Sequence, residues 1–312
     1  MKKLTLLFLI IIAGLIIWKK DDISQFVVQK IVFRDQYELS EPNEYYKQEN
    51  FLLFQNKKEL TIKSKDDFNN FLYTVLNSGW DSFSFFCDFS YENCVNDFVT
   101  YIQESEYVEA INNYVHPFNS FDKIYVSNNN FNKLTIEVKK LYPLEHELIV
   151  NQIIDGFIKN FITNDMSERT KIKTFHDWLI ERTKYDKNFN SNTDKELYPY
   201  HPYSAYGPLV EGMAVCSGYS DAMAIFLDKV GIRNYKISST VSNPSDEGHV
   251  WNYVLVDGKW YHLDLTWDDP LVNNNQDLLI YDFFLVTTNQ LNKISTNKHI
   301  FNKNYYLETK NS

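Results

Sequence analysis

Three residues in the second half of the sequence could together perform nucleophilic chemistry: Cys216, His249 and Asp264. A cysteine thiolate is a strong nucleophile, a histidine can take the thiol proton and pass it to a leaving group, and a carboxylate can fix the orientation of that histidine. This chemistry requires the three side chains to meet, although they lie far apart along the chain. Whether the three side chains can meet therefore depends on the helices and strands that carry them.

Cys216 directly precedes a predicted helix. Residues 220–230 are apolar on almost every side and stop at Gly231, which suits a helix C-terminus, so we predict a buried helix that begins close to the cysteine. The free amides and the dipole at a helix N-terminus favour a thiolate, and the same amides can hold an oxyanion. The alternative is that Cys216 fills the core as a small apolar residue.

His249 and Asp264 lie on two predicted strands, residues 249–256 and 259–266. Asp257 and Gly258 between them form a strong signal for a two-residue hairpin turn. Counting back from that turn places His249 and Asp264 as diagonal neighbours on one face, because side chains alternate along a strand. Diagonal neighbours are within reach of long side chains, so the pattern predicts a hydrogen bond between them.

A second histidine competes for the same role. His262 falls on the face of Asp264 and opposite Tyr253, so by position either histidine could be the base. A further alternative is that both histidines are polar groups on an exposed sheet face. Asp268 and Asp269, which precede Pro270, could equally be turn formers.

Three segments together resemble the catalytic blocks of the transglutaminase-like superfamily, in the order that the family has. The resemblance covers about residues 165–290, and it includes the upstream helix sequence FHDWLI at 175–180. It implies a papain-like fold with the nucleophile on a helix packed against an antiparallel sheet, assigns Cys216, His249 and Asp264 as the catalytic triad, and so favours His249 over His262. Ser220 stands where many relatives have alanine, a replacement that we expect to be harmless. The blocks are GMAVCSGY at 212–219, GHVWN at 248–252 and WYHLDLTWDD at 260–269.

The resemblance leaves the reaction open. Family members include protein cross-linkers, thiol proteases, peptide deglycosylases and inactive proteins, so the expected function is acyl transfer through a thioester, either transamidation or hydrolysis. The alternative is a catalytically silent envelope protein-binding module of the same fold. For the oxyanion, the Cys216 amide is one candidate and the upstream side chain of Tyr206 is another.

The remaining elements predict an α+β protein with four segments. These are a signal anchor at 1–20, a stalk or lead-in at 21–57, an accessory α/β region at 58–163 and the transglutaminase-like domain at 164–312. In the accessory region, residues 60–62, 123–126 and 134–138 are strand-like, and Ser64 can cap a helix over 66–76. Ser167 or Asp165 can cap the helix that precedes the catalytic blocks.

The N-terminus indicates a location outside the cytoplasmic membrane. An apolar run at 4–18 is flanked by lysines, which predicts an uncleaved signal anchor, with cleavage and secretion as the alternative. In an oxidising compartment Cys87 and Cys94 are near enough to pair, which would leave Cys216 as the odd thiol. The alternative is that all three cysteines are buried apolar residues.

Charge and motifs exclude other classes of function. The formal net charge of -10 argues against nucleic acid as a partner, because phosphate binding needs a basic footprint. The sequence has no HExxH, no phosphate-binding glycine loop and no paired-cysteine zinc motif, so no cofactor or metal is predicted. The expected partners are a protein or peptide of the cell envelope as substrate and the membrane through the N-terminal segment.

Overall fold

The computed structural model describes residue 19 and residues 39–58, 60, 62–88, 90–103, 105–128, 133–189, 201–240, 248–270, 278–295 and 297–311. In this part of the chain the α-helices are α1 (Asp67–Asn77), α2 (Cys94–Gln103), α3 (Ser105–Tyr114), α4 (Leu144–Phe161), α5 (Glu168–Arg182), α6 (Cys216–Lys229), α7 (Leu265–Asp268) and α8 (Thr288–Ile294). The strands are β1 (Ser82–Phe86), β2 (Phe121–Asn128), β3 (Lys133–Lys140), β4 (Lys184–Tyr185), β5 (Met213–Ala214), β6 (Asn234–Ser238), β7 (Val250–Val256) and β8 (Lys259–Leu263). Short 3₁₀ turns lie at Pro117–Asn119, Asn297–His299 and Leu307–Asn311, and a π-helical turn lies at Gly207–Glu211.

Two antiparallel sheets organise the molecule. The first has the strand order β1-β3-β2 and the second the order β6-β7-β8, while β4 and β5 form a short parallel pair. Helices and strands occur together along the chain and both of these sheets are antiparallel, as the predicted α+β class requires. Helix α6 lies against β6 and β7, and helix α5 packs on α6 through the stacked rings of Phe175 and Phe226.

The hairpin between β7 and β8 has the register that the sequence predicts. Val256 pairs with Lys259, and Tyr253 pairs with His262. The turn residues Asp257 and Gly258 both have positive φ, 51° and 75°, as a type I′ turn requires. The predicted strand end at residue 266 is wrong, because the ladder stops at Leu263 and the chain turns into helix α7.

One hydrophobic core extends across the predicted boundary at residue 163. Tyr114 from α3 stacks on Tyr235 from β6, with ring centroids 4.3 Å apart, and both contact Phe51. Trp251 and Tyr253 of β7 belong to the same buried cluster as apolar residues of helices α1, α2 and α3. A second cluster surrounds α4, α5 and α6. The β6-β7-β8 sheet therefore contributes side chains to both cores.

Most local predictions for the accessory region agree with the structure. The strands at 123–126 and 134–138 lie inside β2 and β3, and α1 matches the helix predicted over 66–76. The predicted cap is wrong: Asp66 is the N-cap residue of α1, and the Asp67 carboxylate accepts from the Ser64 amide at 2.9 Å. Residues 60–62 form no regular strand among their described positions, because Ile62 makes only an isolated bridge to Cys87.

Cys87 and Cys94 form a disulfide, as the cysteine spacing suggested. Cys216 is the free cysteine and is half-buried. The predicted signal anchor at 1–20 lies outside the described residues except for Lys19. Among the helices that the structure describes, none combines the length and the hydropathy needed to cross a membrane.

Candidate active site

Cys216 is the first residue of helix α6. The carbonyl of Val215 accepts from the amides of Gly218 at 3.0 Å and Tyr219 at 3.3 Å, so the helix starts immediately at the cysteine. The amides of Cys216 and Ser217 precede the first intrahelical hydrogen bond, and amides at this position have no partner within their own helix. They are placed to receive a developing negative charge beside the thiol.

The start of α6 is fixed by the segment that contains Pro202. The Val215 amide donates to the Pro202 carbonyl at 2.9 Å. A Cβ atom added at Gly218 would lie 2.3 Å from the same carbonyl oxygen, so only glycine fits here. The backbone of residues 202–204 thus sets the position of the first turn that carries Cys216.

His249 lies immediately before β7 and is held by the neighbouring chain. Its amide donates to Ser239 Oγ at 2.9 Å, and its carbonyl accepts from the Ser239 amide at 2.8 Å. The imidazole is buried, and its Nε2 lies 2.6 Å from Oδ2 of Asp264. The hydrogen bond predicted from the hairpin is therefore present.

Asp264 is the residue at which β8 ends and α7 begins. Its Oδ1 accepts from the amides of Thr266 at 3.0 Å and Trp267 at 3.2 Å, so this carboxylate caps α7 and cannot continue the strand. This capping is the physical reason why β8 ends at Leu263 and does not continue to residue 266 as predicted. It leaves Oδ2 directed at the histidine.

The electrostatics of the pair are strongly coupled. Burial alone would lower the pKa of His249, but the charge and hydrogen bond of Asp264, together with a hydrogen bond to Cys216, raise that pKa to about 10. Burial opposes ionisation of Asp264, yet the charge of His249 and its hydrogen bond hold the pKa of this carboxyl below its ordinary range. Because Nε2 is engaged by Asp264, Nδ1 is the nitrogen left to face Cys216.

His262, the competing histidine, has a different environment. Its Nδ1 accepts from Trp251 Nε1 at 2.9 Å, so the proton is on Nε2, which donates to Thr288 Oγ1 at 2.9 Å. Burial lowers the pKa of His262 to about 3, which keeps the ring neutral. The alternative that both histidines lie on an exposed sheet face is wrong, because both are buried.

Comparison with known proteins finds a family for part of the chain. Residues 155–265 match the family model described as "Transglutaminase-like superfamily", and this match includes Cys216, His249 and Asp264. This segment is a transglutaminase-like domain. No curated protein matches the sequence.

Two solved structures are similar at low identity. One is the crystal structure of a TGase, with 16% identity over 57% of this chain and 50% of that chain and a TM-score of 0.32. The other is a proposed cysteine protease from Cytophaga hutchinsonii, with 11% identity over 46% of this chain and 61% of that chain and a TM-score of 0.29. The chain thus spans about half to three fifths of the length of these proteins.

Tyr206, the predicted oxyanion side chain, lies in another cluster. Its ring stacks on His146 with centroids 3.9 Å apart and contacts His201 edge-on. None of the contacts described for Tyr206 involves Cys216, His249 or Asp264. In the transglutaminase-like domain the amides at the start of α6 are therefore the better placed oxyanion donors.

Asp268, Asp269 and Ser220 make hydrogen bonds that connect the elements around the site. Asp268 accepts from the Phe283 amide at 2.9 Å and lies 3.2 Å from Nε2 of His176, and Asp269 accepts from Tyr219 at 2.5 Å. Through these hydrogen bonds both aspartates connect α7 to other elements. The interpretation of Asp268 and Asp269 as turn formers did not include this role. Ser220 Oγ lies 2.7 Å from the Cys216 carbonyl oxygen and 2.9 Å from that of Val250, so it joins the nucleophile helix to the strand of His249.

A cleft of about 230 Å³ opens beside His249. Trp267 and Pro270 form apolar parts of its wall, and Thr266 and Lys298 add polar groups. His249 lines this cleft, and Cys216 is half-buried and near enough to His249 to raise its pKa. The cleft is large enough for a side chain or a short stretch of peptide.

Sequence reasoning did not identify His299. Its Nε2 lies 2.9 Å from Asp264 Oδ2, the oxygen that His249 also contacts. The ligand atoms of His249, Asp264 and His299 all lie within 4.8 Å of one another, so these three residues are a set that could hold a metal ion. His299 sits in an isolated 3₁₀ turn without hydrophobic periodicity, and nothing in its local sequence indicates the contact.

Proposed function

We propose that this protein is a thiol enzyme that transfers an acyl group from a protein or peptide amide through Cys216, His249 and Asp264. The observation that carries the proposal is the buried hydrogen bond between His249 and Asp264 at the side of a cleft, with Cys216 near enough to His249 to raise its pKa. A binding module needs no such arrangement. The match to the transglutaminase-like superfamily supports the same class of chemistry.

The proposed reaction begins with attack of the Cys216 thiolate on an amide carbonyl carbon. The carbonyl oxygen gains the negative charge and is stabilised by the amides that open α6. The protonated His249 then donates its proton to the leaving amine, the C–N bond breaks and a thioester remains on Cys216. Asp264 keeps His249 oriented and stabilises its positive charge throughout.

The thioester then reacts with water or with an amine. His249, now neutral, takes a proton from that second nucleophile, and the acyl product leaves as the thiolate returns. Water would make the protein a protease or amidase, and an amine would make it a transamidase. The site is the same for both, and access to the cleft decides between them.

We further propose that the enzyme acts on envelope proteins or peptides from the outer side of the cytoplasmic membrane. The apolar run at 4–18 supports membrane anchoring. The disulfide between Cys87 and Cys94 supports an oxidising compartment, since such bonds are rare in the cytosol. An exported protein that retains a free thiol beside a histidine is best explained by use of that thiol.

Alkylation with iodoacetamide tests the reactivity of Cys216. Because the other two cysteines are bonded to each other, the native protein offers one thiol. We expect Cys216 to react on the order of tenfold faster than a model thiol at pH 6, where the model is almost entirely protonated. The Asp264→Asn variant keeps the shape of the side chain and should lose most of this advantage.

Trapping the acyl-enzyme from an envelope extract identifies the reaction. A glutaminyl thioester on Cys216, detected by mass spectrometry, would favour transamidation, and a peptide C-terminal acyl group would favour proteolysis. Cys216→Ala is the control for non-specific adducts. If Cys216 reacts no faster than the model thiol and Cys216→Ala functions normally in its host, the enzyme proposal is wrong and a binding module is favoured.

A further inference from the structure

Asp264 makes an unusual set of contacts for a carboxylate that orients a histidine. Two backbone amides occupy Oδ1, and the Nε2 atoms of two different histidines lie at 2.6 Å and 2.9 Å from Oδ2. An ionised carboxylate offers about four acceptor positions, so all of them are used. His249 is one of the two histidines and His299 is the other.

His299 is held in a single orientation by aromatic rings. Phe283 stacks on its face with centroids 5.0 Å apart, and Trp267 and Trp251 meet it edge-on at 4.9 Å and 5.0 Å. The side chain is fully buried. Its Nδ1 has no hydrogen-bond partner among the described residues, so its one specific polar contact is with Asp264.

We propose that His299 is a positioning residue of the active site, which donates from Nε2 to Asp264 and so fixes the carboxylate that orients His249. This inference rests on the proposed function, because it gives His299 a role in the reactivity of Cys216. His299 lies 35 residues beyond Asp264 and outside the segment matched to the transglutaminase-like superfamily. The 3₁₀ turn at Asn297–His299 is therefore part of the catalytic unit.

The physical argument is that the hydrogen bonds of Asp264 must fix both of its oxygens. Oδ1 is attached to the start of α7, and rotation about the bond to the carboxyl carbon would swing Oδ2 away from His249. A second donor on Oδ2 opposes that rotation and makes the His249 ring point its other nitrogen at Cys216. A histidine that merely filled space would not need to contact this oxygen.

Two variants separate the donor from the bulk of the side chain. His299→Phe fills the aromatic cage without a donor, and His299→Gln places an amide N–H near the position of Nε2. We expect the iodoacetamide rate constant of Cys216 at pH 7 to fall at least about tenfold in His299→Phe, which corresponds to a weak hydrogen bond to a charged group. His299→Gln should stay within about threefold of wild type.

Controls distinguish this effect from a loss of stability. His116→Gln removes another buried histidine, one that contacts Phe118 of the second cluster. All variants are first compared by thermal unfolding, and His116→Gln should alkylate at the wild-type rate even if its melting temperature falls. If His299 has only a structural role, both His299→Phe and His299→Gln should lower the alkylation rate of Cys216 in proportion to their loss of stability. That result would overturn the proposal.

A measurement that does not depend on reactivity tests the contact itself. In protein labelled with ¹⁵N-histidine, the Nε2–H protons of His249 and His299 should give two protected, downfield resonances beside that of His262, whose Nε2–H donates to Thr288. Both variants should lose the His299 resonance, and only His299→Phe should shift the His249 resonance. An unchanged His249 resonance in His299→Phe overturns the proposal, and so does a change in either resonance on adding a chelator, which would assign these ligands to a metal.

The same data distinguish failure of this inference from failure of the proposed function. If the wild-type thiol is no more reactive than a model thiol, the proposed function fails, and the resonances still decide whether His299 positions Asp264. If the wild-type thiol is reactive and His299→Phe is equally reactive, the inference alone is wrong.

Discussion

At the scale of single residues, burial strengthens the attraction between His249 and Asp264 and so determines the direction in which their pKa values shift. His249 and Asp264 are both removed from water, so their mutual attraction is screened far less than it would be at the surface. The attraction overcomes the desolvation of both groups, which is why the pKa of His249 rises and that of Asp264 falls. Both directions favour an imidazolium beside a carboxylate.

The residue contacts differ in how far sequence can predict them. The contact between His249 and Asp264 follows from strand periodicity and a two-residue turn, which are local rules. Ser220 was expected to be a harmless replacement for the alanine that many relatives have, and the expectation did not include the contacts of its hydroxyl with the backbone carbonyls of Cys216 and Val250. His299 reaches Asp264 through an irregular turn, and only the packing of the aromatic rings brings it there.

The raised pKa of His249 predicts how stability depends on pH. Its folded pKa of about 10 exceeds the ordinary value of 6.5, so the stabilising contribution is fully present below pH 6.5 and is lost as pH rises towards 10. The free energy of unfolding, measured with urea at pH 6, 8 and 10, should fall more in wild type than in His249→Asn. We expect the difference to reach a few kcal/mol at most, and equal pH dependence in both proteins would contradict the coupling.

At the scale of elements, the candidate active site depends on where three elements begin or end. Helix α6 begins at Cys216, β7 begins after His249, and β8 ends before Asp264. The apolar run and Gly231 predicted the helix, and Gly231 indeed has a positive φ of 74°. The end of β8 was missed because an aspartate inside a strand-like pattern gives no sign that its carboxylate will cap the next turn.

Gly218 allows a test of how precisely α6 must be placed. In Gly218→Ala the new methyl group would meet the Pro202 carbonyl, so the first turn must move, and we expect a loss of about 1–3 kcal/mol in the free energy of unfolding. The alkylation rate of Cys216 should also fall, because the thiol moves relative to His249.

Gly156→Ala in α4 is the matched control, because a Cβ there meets nothing within 4 Å. This substitution should stabilise the protein by about 0.5–1 kcal/mol and leave alkylation unchanged, since alanine favours helix. Urea denaturation and the iodoacetamide rate are measured on both variants. Equal behaviour of the two would show that the contact between Gly218 and Pro202 does not constrain the helix.

At the scale of the whole molecule, the first sheet and the β6-β7-β8 sheet contribute side chains to one hydrophobic core. Side chains of β6 and β7 pack against aromatic side chains of the first part of the chain, among them Phe51 and Tyr114. Glu308 accepts a hydrogen bond from the Leu52 amide at 2.8 Å. Such contacts join residues that are far apart in sequence, so no local pattern indicates them. The sequence suggested a boundary at 163 because periodicity sharpens there, but periodicity does not report which faces pack together.

This shared core predicts how fragments behave. A fragment of residues 144–312 retains Cys216, His249, Asp264 and the segment matched to the family but exposes Tyr235, Trp251 and Tyr253, which are almost fully buried in the intact chain. Burial of such side chains contributes about 1.5–3 kcal/mol each, which together exceeds much of the stability of an ordinary domain. We expect this fragment to show no cooperative unfolding transition and no enhanced alkylation of Cys216.

The matched fragment, residues 39–312, lacks only the segment that precedes the contacts described above. It keeps Phe51, Tyr114 and the first sheet, so it should unfold cooperatively and should alkylate at the rate of the full chain. Circular dichroism during urea denaturation and the iodoacetamide rate are measured on both fragments. If residues 144–312 fold and react like the longer fragment, the transglutaminase-like domain is independent, and the shared core is a contact surface that the active site does not need.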